Sequence, residues 1–193
     1  FSVVLYQLDM TAYPQKYSIG LAPVDGVSDA AFRQIVDEVG KPNILFTEFI
    51  PSEGLYRGRA VLLSALKKHK SDTPVVAQFF GGNPHYFSYA FYAAAESGYD
   101  GIDVNMGCPD ASIVKKGGGA GLLLDIPRAR ETISILHKPQ SDWKNGRTKD
   151  DTDLPAEMKN AIKSVNPHAS GPKQRLTISV KIRIGYDESQ MPD

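Results

Sequence analysis

Short apolar runs, each followed by a helical pattern, recur along the first half of the chain. This recurrence constrains the fold more than any other feature. Ile19-Gly20-Leu21-Ala22-Pro23, Ile44 to Phe49, Pro74 to Phe80 and Gly101 to Asn105 begin near residues 19, 44, 75 and 101. Between them apolar residues return at helical spacing, at Phe32, Ile35, Val36 and Val39 and again at Phe87, Ala90, Phe91 and Ala94. Start and stop signals frame these segments. Ser28-Asp29 caps the first and Gly40 closes it, while Asn83-Pro84 opens the second and Gly98 ends it. Arg59 to Lys68 reads as a further helix, and Ile126, Ala129, Ile133 and Leu136 mark another. Leu176 to Arg183, rich in β-branched residues, reads as a fifth strand.

The strand runs are continuous, not alternating, so both faces should be buried, as in a parallel sheet covered by helices. Their spacing of 25 to 31 residues matches a (β/α)8 TIM barrel, in which eight units take about 250 residues. A doubly wound open sheet uses similar units and is the alternative. Five strands fall within the 193 residues, and three more units would need about 90 residues. The chain therefore reads as a partial TIM-barrel catalytic domain over 1–193 with about the first five βα units, or else as a sheet that does not close. Residues 138–175 read as an insertion before the fifth strand. This stretch is polar, with Asn145-Gly146, Asp150-Asp151 and Ser170-Gly171-Pro172. A solvated loop is the preferred reading over a binding element, with a short helix at Pro155 to Val165.

Composition narrows the classes of function. Lys and Arg number 22 and Asp and Glu number 22, which argues against nucleic-acid binding through bulk charge but leaves room for a local basic patch. No apolar run is long enough to span a bilayer. Phe1 to Met10 carry neither a basic n-region nor a cleavage pattern, so no signal peptide is expected. The single cysteine, Cys108, excludes an internal disulfide and fits a reducing cytoplasm. One Cys and four scattered His are too few for a Cys/His zinc site, and His69, His85, His137 and His168 read as surface residues.

In parallel α/β folds ligands bind at the carboxyl ends of the strands. Those ends are polar here: Pro23-Val24-Asp25-Gly26, Thr47-Glu48, Gln78, Asp103-Val104-Asn105, and Lys181 with Arg183. Any one of them is as readily structural, and Glu48 alone is as readily a local cap. Their recurrence at one face points to a site. The densest segment is Asn105-Met106-Gly107-Cys108-Pro109, followed by Lys115-Lys116-Gly117-Gly118-Gly119-Ala120-Gly121. A lone cysteine is usually a small buried hydrophobe. This one leaves a strand end between Gly and Pro, ahead of two lysines, where a thiol can act as acid or nucleophile. The triple glycine lacks the P-loop spacing and its Lys-Ser/Thr. It reads equally as a phosphate cradle or a flexible tip.

Ile102-Asp103-Val104-Asn105-Met106-Gly107-Cys108-Pro109, then Ile113 and Gly119-Ala120, resemble the hallmark of the tRNA-dihydrouridine synthases. Leu21 to Arg33 resembles that family's first strand and helix, Val76-Ala77-Gln78 its third strand, and Val180 to Gly185 its fifth. The resemblance spans about residues 19–137 and 176–187. It implies an FMN enzyme on a TIM barrel that reduces uridine in tRNA to 5,6-dihydrouridine, with NADPH as reductant. It further implies hydride delivery to C6 of the uracil and a proton to C5 from Cys108, with Asn105 at the uracil and flavin. Pro23, Val24 and Asp25 would line the flavin, Gln78 would meet the isoalloxazine edge, and Lys181 would sit at its pyrimidine end. Val24 stands where the family usually has Met.

The family's later strands supply a His near the flavin and the loops that bind the FMN phosphate. A C-terminal helical domain supplies much of the tRNA contact. None of these is found in the sequence, so weak FMN binding, self-association and completion by a second chain or a missing C-terminal region are expected. Two other readings stand beside this one. The first is an FMN enzyme acting on a free pyrimidine, similar to the dihydroorotate and dihydropyrimidine dehydrogenases, which also place Asn-x-x-Cys-Pro at a barrel strand end. The second is a catalytically silent fragment or interaction module.

Overall fold

Strand propensity and burial produce five strands: β1 Gly20–Leu21, β2 Ile44–Pro51, β3 Val75–Phe80, β4 Gly101–Met106 and β5 Thr177–Ile182. The structure, a computed structural model, describes residues 19–59, 61–165 and 176–187. Every neighbouring pair of strands is parallel, and the order across the sheet is β1-β2-β3-β4-β5. Each strand lies beside its predecessor in the chain, as in a barrel wall. A doubly wound sheet reverses its strand order at a switch point, and no reversal occurs among these five strands. The helices between them are α1 Ala30–Gly40, α2 Ser52–Tyr56, α3 Val61–Ala65, α4 His85–Glu96, α5 Ala111–Val114, α6 Ile126–Lys144 and α7 Ala156–Val165. Arg59 to Lys68 is thus not one long helix. No helix among the described residues is long and apolar enough to cross a membrane.

Alternation along the strands gives the sheet two unlike faces. Leu45, Val75, Ala77, Phe79, Ile102, Val104 and Met106 face the helices and merge with Phe87, Phe91 and Leu136 into the main core. The opposite, inner face carries Ile44, Phe46 and Val76 as a separate small cluster. Above that cluster it turns polar. Gln78 pairs in register with Asp103, which pairs with Ser179, and Asn105 pairs with Lys181 one layer on. These are the stacked side-chain layers of a barrel interior.

Helix α1 leaves most of its apolar stripe outward, and of the four residues only Val36 packs against the core. Phe32, Ile35 and Val39 are 38%, 60% and 84% exposed, whereas Arg33 is 1% exposed. The helix packs on β2, and Phe32, Ile35 and Val39 point away from that contact. Its orientation is fixed by polar anchors instead. Arg33 donates from Nη1 to the Ser28 carbonyl at 2.6 Å and from Nη2 to the Lys67 carbonyl at 2.7 Å.

Helix α6 runs through Pro139 to Lys144 and buries Trp143, so residues 138–144 belong to the helix and the segment before β5 starts later. Its described part is packed, not solvated. Leu154, Met158 and Ile162 join the core. Lys149 pairs with Glu96 at 3.3 Å, and Tyr89 donates to Asp153 at 2.5 Å. Residues 166–175 lie outside the described residues. His69 is likewise not a surface residue: its side chain is 5% exposed beside Asp37, and burial lowers its pKa. His168 falls outside the described residues.

The orientation of α1 gives a direct test. Arg33→Ala removes both hydrogen bonds, leaves the buried Ser28 carbonyl without its guanidinium donor and opens a void, for an expected loss of about 2–4 kcal/mol in urea unfolding. Val39→Ser, on the stripe, is expected to change stability by no more than about 0.5 kcal/mol.

Candidate functional site

The polar inner face is held by one continuous set of hydrogen bonds across β3, β4 and β5. Asp103, fully buried, accepts from Ser179 Oγ at 2.6 Å and from Gln78 Nε2 at 2.6 Å. Gln78 then accepts at Oε1 from Asn105 Nδ2 at 3.0 Å. Asn105 in turn accepts at Oδ1 from the backbone amides of Gly107 at 3.0 Å and Cys108 at 2.9 Å. The set begins at a carboxylate in the middle of the sheet and ends on the loop that carries the thiol. Burial pushes Asp103 up to about 6, against the opposing pull of the Ser179 and Gln78 hydrogen bonds and the Lys181 charge. Lys181 is half-buried on the same face, in register with Asn105.

A bulge shapes the neighbouring strand. Phe46 pairs with Val76 and Phe49 with Gln78, so three steps on β2 oppose two on β3. Thr47 and Glu48 together stand opposite Ala77, one residue in excess. Thr47 Oγ1 accepts from the Gln78 amide at 3.0 Å, replacing a ladder bond. Glu48 swings out to accept from the Gly26 amide at 2.7 Å, tying the end of β2 to the loop after β1. Glu48 therefore has a structural partner. Ser28 Oγ closes the same loop by accepting from the Val24 amide at 2.9 Å.

The Cys108 loop is clamped by glycines. Cys108 accepts at its carbonyl from the Ala120 amide at 2.9 Å. Gly119, at φ +54°, packs so closely that a Cβ there would lie 2.5 Å from the Cys108 carbonyl oxygen. Gly118 and Gly119 are buried, so the triple glycine is not a flexible tip. Cys108 itself is half-buried and unpaired. It lines a cavity of about 640 Å³ with Asp25, Glu48, Phe49, Phe80 and Asp110.

The structure thus brings Asp25 and Cys108 into one cavity, and Gln78, Asn105 and Lys181 onto the face beside it. Pro23 and Val24 stand at the end of β1 outside that cavity, with Val24 45% exposed. Sequence reasoning missed Asp103 as the organiser of the network and missed Ser179 entirely. A carboxylate inside an otherwise apolar strand was the available signal for the first. No group of three or more His, Cys, Asp or Glu among the described residues is placed to hold a metal.

A family model described as "Dihydrouridine synthase (Dus)" matches residues 20–142. The chain is 37% identical over 115 residues to a "Probable tRNA-dihydrouridine synthase" of Staphylococcus epidermidis and to one of Staphylococcus aureus. It is 36% identical over 115 residues to "Probable tRNA-dihydrouridine synthase 2" of Bacillus subtilis. The matched stretch covers 58% of this chain and 35% of each of these relatives, so the chain spans about a third of their length.

The pKa of Asp103 makes a signed prediction. A carboxyl raised in the folded state favours the fold most when neutral, so its contribution is full below the ordinary value of 3.8 and is lost as pH rises through about 6. Other carboxylates titrate in the same range, so the quantity to follow is wild type against Asp103→Asn. The stability advantage of wild type in urea unfolding is expected to shrink between pH 4 and pH 7. A constant difference across that range would mean that Asp103 is not the titrating group.

Proposed function

The chain belongs to the dihydrouridine synthase family, and from that premise we propose that it carries the flavin-side half of a site that reduces uridine in tRNA to 5,6-dihydrouridine, with FMN as cofactor and NADPH as reductant, in the cytoplasm. Its five βα units are those of a TIM barrel. One observation carries the proposal: the buried hydrogen bonds that start at Asp103 end on the amides of Gly107 and Cys108, beside a cavity that Cys108 lines.

The residues present fit a flavin ring. The inner face offers a cation and an amide at one level, Lys181 and Asn105, with the Gln78 amide in the layer below, a donor set suited to the electron-rich carbonyl edge of a flavin. Lys181 would hold the pyrimidine end, where a cation favours negative charge. Gln78 would meet the ring edge with the second N–H that its amide keeps. Pro23, Val24 and Asp25 would line the ring from the end of β1.

FMN, when bound, supplies the hydride that adds to C6 of the uracil. Cys108 gives its thiol proton to C5 on the other side of the former double bond. Asn105 places that thiol, because its Oδ1 holds the two amides that set the path of the Cys108 loop. Asp25 and Phe80 line the cavity around the thiol.

Two substitutions test these roles. In flavin-loaded protein carrying this segment, Cys108→Ala is expected to keep the flavin absorbance and lower dihydrouridine formation on a tRNA transcript by about a hundredfold or more. Unchanged turnover would remove Cys108 from the reaction. Lys181→Met is expected to shift the flavin potential to more negative values, read by a spectroscopic reductive titration. An unaltered potential would place the ammonium away from the ring.

A further inference from the structure

A second and larger cavity lies beside the one at Cys108. It measures about 990 Å³ and shares Pro51, Phe80, Ser112 and Ile113 with its neighbour. Its charged lining is four cations, Arg57, Arg59, Lys116 and Arg128, against two carboxylates, Glu53 and Glu131. The chain as a whole is neutral, with 22 basic and 22 acidic residues, so this local excess is not the spill-over of a basic protein.

The cations come from three separate parts of the chain and are set by the fold. Arg57 and Arg59 follow α2, Lys116 follows α5, and Arg128 stands in the first turn of α6. Two of them are held in place. Arg57 pairs with Glu53 at 2.8 Å, and Arg128 pairs with Asp125 at 3.2 Å and lies over Gly117. Arg59 and Lys116 form no ion pair among the described residues and are exposed. The floor between them is main chain: a Cβ on Gly82 would overlap the Lys116 carbonyl oxygen, so the loops after β3 and β4 meet backbone to backbone.

The geometry points to this cavity as the seat of the RNA strand next to the target uridine, with phosphodiester oxygens on Arg59, Lys116 and Arg128. The inference rests on the reading that the base reduced at Cys108 belongs to RNA. A base that enters the smaller cavity as part of a polymer brings neighbouring phosphates with it, and the adjoining larger cavity is where the exposed Arg59 and Lys116 and the anchored Arg128 would meet them. A free pyrimidine would leave Arg59 and Lys116 without a counter-charge. Lysine and arginine at phosphates contribute affinity that falls with salt, each cation adding to the slope.

The test is fluorescence anisotropy of this chain with a labelled single-stranded oligouridylate, titrated between 50 and 200 mM salt. The double variant Arg59→Gln/Lys116→Gln is expected to bind about tenfold more weakly at the low end and to lose about 0.7 of log–log salt slope per cation removed. Arg128→Gln is expected to weaken binding in the same direction. Lys144→Gln, at the far end of α6 and about 24 Å along its axis from Arg128, is expected to leave affinity unchanged. All these side chains are exposed or half-exposed, and urea midpoints check that each variant folds. Three results would overturn the inference: no binding of the oligouridylate by wild type, equal affinity in the double variant, or an equal loss in Lys144→Gln. Competition by NADPH that disappears in the double variant would also overturn it, by assigning the cavity to a dinucleotide. A parallel FMN titration separates the two readings. Flavin binding without RNA binding refutes the cavity assignment alone, and RNA binding through these cations without flavin refutes the flavin reading alone.

Discussion

A single buried carboxylate organises the inner face of this sheet. A carboxylate can only accept hydrogen bonds when ionised, so Asp103 dictates the direction of every bond above it. It obliges Gln78 to turn its Nε2 inward, which turns Oε1 toward Asn105. Asn105 must then present Nδ2 to Gln78, leaving Oδ1 for the amides of Gly107 and Cys108. Two amide side chains that could each sit either way round are given one orientation. The cost of burying the charge is visible in its raised pKa and is offset by Ser179, Gln78 and Lys181.

The two faces of the sheet divide the work. The helix-facing side is uniformly apolar and supplies the core that holds β2, β3 and β4 in register. With that support the inner side is free to carry polar groups, which do not have to hold the helices. The bulge in β2 belongs to the same arrangement. By adding a residue at Thr47 and Glu48, it keeps Phe49 level with Gln78 while sending Glu48 to the loop after β1. The ends of three strands are thereby joined by side chain to backbone contacts as well as by the ladder.

Much of this was legible in the sequence because the signals were local. Continuous apolar runs located all five strands to within about two residues, and the segment from Ile102 to Pro109 located the thiol and its asparagine. What was not legible depends on contacts far apart in the chain. Arg33 is buried because Ser28 and Lys67 offer it carbonyls, and the stripe of Phe32, Ile35 and Val39 is left outward because α1 sits at the edge of the sheet. A helical wheel cannot foresee that. Nor could spacing show that Ser179 meets Asp103 across 76 residues. Residues 138–175 read as an insertion, yet α6 runs on through Pro139 to Lys144 and anchors Trp143 in the core. The triple glycine reads equally as a phosphate cradle or a flexible tip, and Gly119 packs tightly against Cys108.

Glycine contact between Gly82 and the carbonyl of Lys116 means that part of the wall of the site is built from main chain. A wall of side chains can be trimmed or enlarged one substitution at a time. A wall of peptide groups has no such handle, and almost any replacement at the glycines moves two loops together. The floor of the larger cavity at this point is therefore a property of the backbone trace. Variation among the surrounding surface residues can retune charge there while that floor keeps its shape.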